Sequence, residues 1–370
     1  MSSFNGNWSG GTFLSDLVTR PEFLQYTSEG IFEQSKWIQS GIIQRNAALD
    51  ARAGGTRVRV PFFDPIAPTE TQILSNATWG GGGGYLVPQN VTADEQIMTI
   101  LHRGFAYAAD DLSKLGTGSD PLSHVRDQLT AAINKLKTAT LSNHLLGLFG
   151  GITGNGVLGA NQTDKSFDGV PGSMTEANYL TAANVIAAKS VLGERGDDLD
   201  SIAMHSNVAY YLQQVGMLTF STSALAAAGA VTWGAGGVGV RSTDVPFFAG
   251  MRVVIDDQLT YLTGGDAGDV VKYPVYLFRS GVVSEGIQQD LRLAADRNIL
   301  SMQDVLAVDY HYGYHVTGTK WAASGDNPTN AATTGNLANI ASWNLVFSTA
   351  KMVPVARLLV NTPFDPTAYT

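Results

Sequence analysis

The sequence contains no cysteine, which excludes disulfides, thiolate metal centres and cysteine nucleophiles. It is also short of charge. Asp, Glu, Lys and Arg make up 15% of its 370 residues, against about 25% in ordinary globular proteins. A chain of this size has little with which to solvate a free surface, which points to an exterior covered by partners. Basic residues are the scarcer kind: 23 Lys and Arg against 32 Asp and Glu, a formal net charge of −9. Without a basic cluster, recognition of nucleic acid by phosphate neutralisation is not expected. No run of about 20 apolar residues is present, so no membrane-spanning helix is expected. The opening residues MSSFNGN carry neither a basic stretch nor an apolar core, so no secretory leader is expected. GxSxG, HExxH and other catalytic signatures are missing too. No enzyme activity, catalytic residue or cofactor is therefore expected.

Glycine, by contrast, is plentiful, and five stand in a row at 80–84 between Trp79 and Tyr85. A phosphate-binding loop would need a lysine and a hydroxyl residue directly afterwards, then a helix. Here Tyr85-Leu86-Val87-Pro88 follows, which reads as a strand. Residues 234–239, GAGGVG, match GxGxxG formally. VRSTDVP follows with no helical period, so the dinucleotide context is missing. Both stretches read as flexible loops.

Residues 1–55 read as an extended arm with short helical pieces, one starting at Pro21 and one over 31–38. From 56 to 62 the chain alternates, with Val58, Val60 and Phe62 on one face and Arg57 and Arg59 on the other, which is a half-buried strand. Its expected mate runs from Leu86 to about Arg103. The two form a long ribbon with the glycines near its tip, and such a ribbon is marginally stable alone.

Ser119-Asp120-Pro121 then provides a helix start. Leu122, Val125, Leu129, Ala132, Ile133 and Leu136 follow at three- and four-residue steps, and Gly150-Gly151 ends the run. That predicts a helix on the order of 40 Å long. A capping box at 173–176 is expected to open a helix reaching Leu192-Gly193. Ser201–Met204 reads as a strand, 207–215 as a helix and 221–239 as a loop. Strands are expected over 250–255, 275–278, 305–316 and 353–360. The fold class is α+β.

His311 and His315 sit four apart, but on a strand they would lie about 13 Å apart, too far for one metal ion. A tyrosine-faced strand packed in a core or an interface fits YHYGYH better. Asp256-Asp257 reads as a strand-end turn. Asp296-Arg297-Asn298 reads as a solvated turn or as a buried or inter-subunit ion pair.

The order of these pieces, nearly end to end, resembles the major capsid proteins of tailed bacteriophages, with their Hong Kong 97-type fold. An arm and a long ribbon come first, then SDPLSHVRDQLTAAINKLKTATLSNHLLGLF as spine helix and LDSIAMHSNVAYYLQQVGML as a strand–helix unit. FFAGMRVVIDDQL, VYLFRSGVVSEG, LRLAADRNILSMQDVLAVDYHYGYHVTGTKW and KMVPVARLLVNTP complete the set. The resemblance implies an N-terminal arm at 1–55 and an extended loop at 56–105. A peripheral domain follows at 106–172 with its spine helix at 120–149, then an axial domain at 173–304 and a return to the peripheral domain at 305–370.

It further implies pentamers and hexamers of an icosahedral shell around double-stranded DNA, bound without sequence specificity. A separate scaffolding protein, a portal and a decoration protein are the implied partners, with assembly in the host cytoplasm and a final place in the virion. A cellular nanocompartment of the encapsulin kind, sharing the fold, is the alternative. The ribbon would lie across an adjacent subunit, anchored by Trp79 and Tyr85. Arg57 and Arg59 are expected to meet Glu70, Asp94 or Glu95 of that neighbour. Some family members weld subunits through an extended-loop lysine; this chain has none between Lys36 and Lys114.

Overall fold

A computed structural model describes residues 37, 40–50, 56–66, 90–111, 121–169, 174–221, 231–232, 245–259, 261–262, 271–299, 301–322 and 333–364. The expected helix at Pro21, both glycine-rich loops and the Ser119-Asp120 cap lie outside these residues. The elements, in chain order, are β1 (Ile43–Arg45), β2 (Arg57–Phe63), β3 (Ala93–Thr99), β4 (Leu101–Asp110), α1 (Pro121–Phe149) and β5 (Gln162–Asp164). Next come α2 (Ala182–Ser190), β6 (Ser201–Met204), α3 (Ser206–Gln214), β7 (Thr219–Ser221), β8 (Val231–Thr232), β9 (Val245–Phe248), β10 (Met251–Ile255) and β11 (Tyr273–Phe278). The chain ends with β12 (Val283–Asn298), β13 (Gln303–Val316), β14 (Thr319–Trp321), α4 (Thr334–Ala338), β15 (Trp343–Leu345) and β16 (Val355–Val360).

Helix α1 spans 29 residues. In its first half a single stripe, Leu122, Leu129 and Ile133, is buried, while Leu136 is exposed. In its second half Leu141, Leu145, Leu148 and Phe149 are all fully buried, so the helix passes from the surface into the core. Thr138 and Thr140 are buried there because their hydroxyls donate to the carbonyls of Asn134 and Leu136 four residues back. Gly147 is a packing requirement: a Cβ would fall 2.1 Å from the Leu337 carbonyl oxygen of α4. Gly150, at φ +78°, ends the helix in the left-handed conformation that favours glycine.

Three sheets surround this helix. The first has the order β1-β12-β13-β4. Its Val308, Tyr310, Tyr312 and Tyr314 are buried in the same core as the second half of α1, and the Tyr312 hydroxyl donates to Thr140 at 3.0 Å. YHYGYH is thus a tyrosine-faced strand in a core, as its alternation predicts. The second sheet, β5-β16-β11-β6-β10-β9-β7-β8, is central. Its β11 and β16 are buried throughout, which is why YPVYLF and VARLLV show no alternation. One face, with Tyr276, Phe278 and Val355, joins the spine-helix core. The other, with Val275, Leu277, Leu358 and Val360, packs with α2 and α3 in a second core. The third sheet, β15-β14-β3-β2, carries the ribbon.

Several sequence expectations change. The stretch read as a loop at 221–239 contains β8, paired with β7. Asp296-Arg297-Asn298 lies in strand β12 instead of a turn, with Arg297 paired to Asp111 and Asp304 of its own chain. The ribbon strand β3 ends at Thr99, and the chain crosses into the first sheet as β4 instead of continuing to Arg103. Ser173 of the expected box lies outside the described residues; a different capping box forms at Thr175 and Asn178 around a 3-10 turn, and α2 starts only at Ala182, where the Thr181 hydroxyl accepts from the Asn184 amide. Part of the stretch read as an arm belongs to the body. Trp37 is fully buried, stacked edge-on against Phe278 at 5.7 Å, and donates its indole N–H to Asp256. Asp256 does form the expected turn, accepting from the Gln258 amide at 2.8 Å, but it is also this buried acceptor. The expected boundary at 304/305 falls inside the β12–β13 hairpin, which pairs from Val283↔Val316 to Asn298↔Gln303.

Arg357 ties the spine helix to the central sheet. Its guanidinium is fully buried, donates to the Phe149 and Gly151 carbonyls at the helix end and to Gln162, and sits 4.9 Å over the Phe149 ring. Burial lowers its pKa, with neighbouring Tyr276 and Asp164 opposing. The helix C-terminus carries roughly half a negative charge, which favours a cation there. Arg357→Ala should leave these acceptors unsatisfied above a void and cost about 3–5 kcal/mol in denaturant unfolding; a loss below about 1 kcal/mol would contradict this arrangement.

Candidate assembly surfaces

The ribbon strands β2 and β3 pair antiparallel from Arg57↔Thr99 to Phe63↔Ala93. Val58 and Val60 pack against buried Leu49, Met98 and Ile100, a cluster of three buried residues. Phe62 meets Phe347 edge-on at 5.8 Å. The opposite side points outward, and Phe63 and Ile66 are 78% and 82% exposed. A cleft of about 500 Å³ lies at this base, lined by Phe62, Phe63, Val282, Phe347, Arg195 and Arg279.

The expected contact residues divide as follows. Arg57 and Arg59 lie on β2, Asp94 and Glu95 on β3. Arg59 donates to Glu95 of its own chain at 3.1 Å. Asp94 accepts from Lys320 on β14 at 3.3 Å. Its pKa is held below the usual carboxylate value first by the Glu95 amide, then by Lys320. Glu70, Trp79 and Tyr85 lie outside the described residues.

Two histidines hold the ribbon base to the body, and the spacing of His311 and His315 gave no hint of this. His315 is buried and its Nε2 lies 2.8 Å from Gln96 of β3, whose same oxygen accepts the Gly318 amide. His144 of the spine helix is buried and stacks on Trp343 of β15, ring centroids 4.1 Å apart. His311 faces another way, stacked on His102 at 4.2 Å. Among the described residues no three His, Asp or Glu side chains converge as metal ligands, and no helix is long and apolar enough to cross a membrane.

Along 92% of its length the chain is 26% identical to the major capsid protein of Bacillus phage SPP1, over 350 residues and 96% of that protein. The capsid of Ralstonia phage GP4 superposes with a TM-score of 0.55 at 11% identity, covering 94% of this chain and 96% of that one. The Cyanophage Pam1 capsid gives 0.54 at 14%, covering 94% and 97%. This is the Hong Kong 97-type phage capsid fold. No family model matches the chain.

Burial pushes the pKa of His144 down to about 3, with a smaller contribution from His315, and that of His315 to about 4. The unfolded chain takes up these protons near pH 6.5, while the fold refuses them until near 4 and 3. Their contribution to stability is therefore complete above about pH 6.5 and drains away as the pH falls toward the folded values. His315→Gln or His144→Gln should flatten the loss of unfolding free energy between pH 7 and 5 relative to the parent chain. Equal slopes would contradict the burial of neutral imidazoles.

Proposed function

We propose that this chain is a phage major capsid protein that self-assembles into pentamers and hexamers of an icosahedral shell enclosing double-stranded DNA. The reading is carried by one observation: nearly full-length similarity to a major capsid protein. The capsid fold supports it. The phage origin of the relative and of these structures favours DNA as content over the cargo of a nanocompartment. A net charge of −9 suits a container, which gains little from holding its contents tightly. A scaffolding protein, a portal and a decoration protein complete the proposed set of partners. Assembly belongs to the host cytoplasm and the finished protein to the virion, as a structural component without catalytic activity.

The ribbon is the part of the chain that most needs a neighbour. With three buried residues beneath its base, it gains little from its own core, and outward Phe63 and Ile66 offer apolar area to a second copy. Glu95 and Asp94 are more than a third exposed, so a neighbour's arginine can join them. Beyond the described residues, Trp79 and Tyr85 would add aromatic burial, and the glycines between them let one sequence fit several subunit environments.

Electron microscopy of the protein expressed with a scaffolding partner should show closed shells; a chain that stays monomeric under all assembly conditions would overturn the proposal. Arg57→Glu with Arg59→Glu should reduce shell yield at least tenfold, while unfolding free energy changes by less than about 1 kcal/mol, since exposed pairs contribute little. Normal yield would rule out the arginine contact. Mature particles should run as a single band on denaturing gels, because the ribbon offers no lysine; a covalent ladder would show otherwise.

A further inference from the structure

Among the described residues the β12–β13 hairpin has one long edge without a partner strand. β1 covers only Val283–Glu285 of β12. The Asn46 amide bonds to the Glu285 carbonyl and the Ile287 amide to Asp50. Beyond Ile287 no described strand pairs with the outer side of β12. From Asp290 to Arg297 every residue is exposed, including Leu291 at 42% and Leu293 at 52%. Folded proteins normally blunt such an edge with charged side chains, proline, β-bulges, a covering loop or brevity, because unpaired backbone groups invite another strand. The irregularities of β12 fall between Ile287 and Arg292, and beyond them the ladder with β13 is regular, so the edge from Arg292 onward is straight. The stretch Leu291-Arg292-Leu293-Ala294-Ala295 holds neither proline nor lysine.

The sequence around this edge is complementary to itself. Two copies can extend one sheet through a twofold axis perpendicular to it only if each residue faces one of the same side-chain parity. Centring the axis on Leu293 would oppose Asp290 to Asp296 of the second copy, which is unfavourable. Centring it on Ala294 opposes Arg292 to Asp296 twice, Leu293 to Ala295 twice, and the small Ala294 to itself. Asp290 then faces Asn298.

The charges suit this register. Arg292 already grips Asp309 through Nε and Nη2, both at 3.0 Å, and its planar fork can serve a further acceptor. Asp296 accepts the Arg297 amide but has no cationic partner among the described residues.

We propose that this edge is an isologous contact, in which β12 of one chain pairs antiparallel with β12 of a second copy about Ala294. The pairing turns two edges into one continuous sheet and closes each open hairpin with backbone hydrogen bonds. It rests on the shell reading only for the place where copies meet; the self-complementarity lies in this chain alone.

The chain's lack of cysteine makes the test clean. In shells of Ala294→Cys exposed to a mild oxidant, most chains should run as disulfide-linked dimers on non-reducing gels, since directly opposed residues in such a pair lie about 4.5–5.5 Å apart, within disulfide reach. Adding Asp296→Lys, which sets lysine against Arg292, should lower the dimer fraction severalfold. Well-formed shells whose chains stay single overturn the proposal and leave the shell reading intact. Should Ala294→Cys not assemble, Leu293→Cys with Ala295→Cys opposes two cysteines in the same register, and unlinked shells of that variant overturn it equally. A parent chain that forms no shells at all counts against the shell reading instead, and oxidising Ala294→Cys in free solution then decides the edge contact.

Discussion

A buried guanidinium at the end of a long helix holds the frame of this molecule together. Arg357 lies in β16, the strand shared by both cores, and reaches the last carbonyls of the spine helix. No carboxylate forms an ion pair with it among the described residues. What makes a lone buried cation tolerable is the set around it: main-chain carbonyls at the negative helix end, the Gln162 amide oxygen and the Phe149 ring. Tyr276, directly across from it in the β11–β16 register, stays neutral because burial raises its pKa. The helix direction is thereby fixed relative to the central sheet, and with it the side of the body from which the ribbon departs.

Around that frame the chain divides into what it completes alone and what it leaves unfinished. The central sheet and the second half of α1 are sealed, with β11 and β16 buried at every position. The ribbon and the far half of β12 have the opposite character. One rests on a cluster of three buried residues; the other exposes eight consecutive side chains beside an edge that no described strand pairs. Both surfaces mix exposed apolar side chains, Phe63 and Ile66 on one and Leu291 and Leu293 on the other, with charges that another copy can meet. The histidines at the ribbon base belong to the sealed part. Their neutrality lets the ribbon sheet dock on the spine helix and β13 without a buried charge.

Much of the fold was legible in the sequence for local reasons. Proline at the first turn, a stripe at helical spacing and paired glycines mark α1 almost to the residue. Alternation marks β2, and unbroken apolar runs mark β11 and β16. The far half of β12 was not legible. LRLAADRN mixes helix formers with charges, and its end, Asp296-Arg297-Asn298, reads as a turn, because the residues that justify a strand there belong to its partner β13. The capping box misled for a related reason: a local hydrogen-bond pattern specifies a turn, and only tertiary packing decides whether a helix follows. For the candidate contacts, residue type was readable and pairing was not. Arg59 and Glu95 meet because β2 and β3 run antiparallel, and Lys320 reaches Asp94 from 226 positions away. Arg357 did leave a trace, as the lone charge inside an apolar strand, which is rare unless that charge is satisfied in the core.

The central claim is that one chain folds a finished body and leaves the ribbon and one sheet edge to be completed by other copies. Amide hydrogen exchange compared between isolated subunits and assembled shells tests this most directly. Amides of β11, β16 and the second half of α1 should be protected equally in both states, while those of β2, β3 and Leu291–Ala295 should exchange fast in the subunit and slow markedly in the shell. Ribbon and edge amides already as protected in the subunit as in the shell would contradict it.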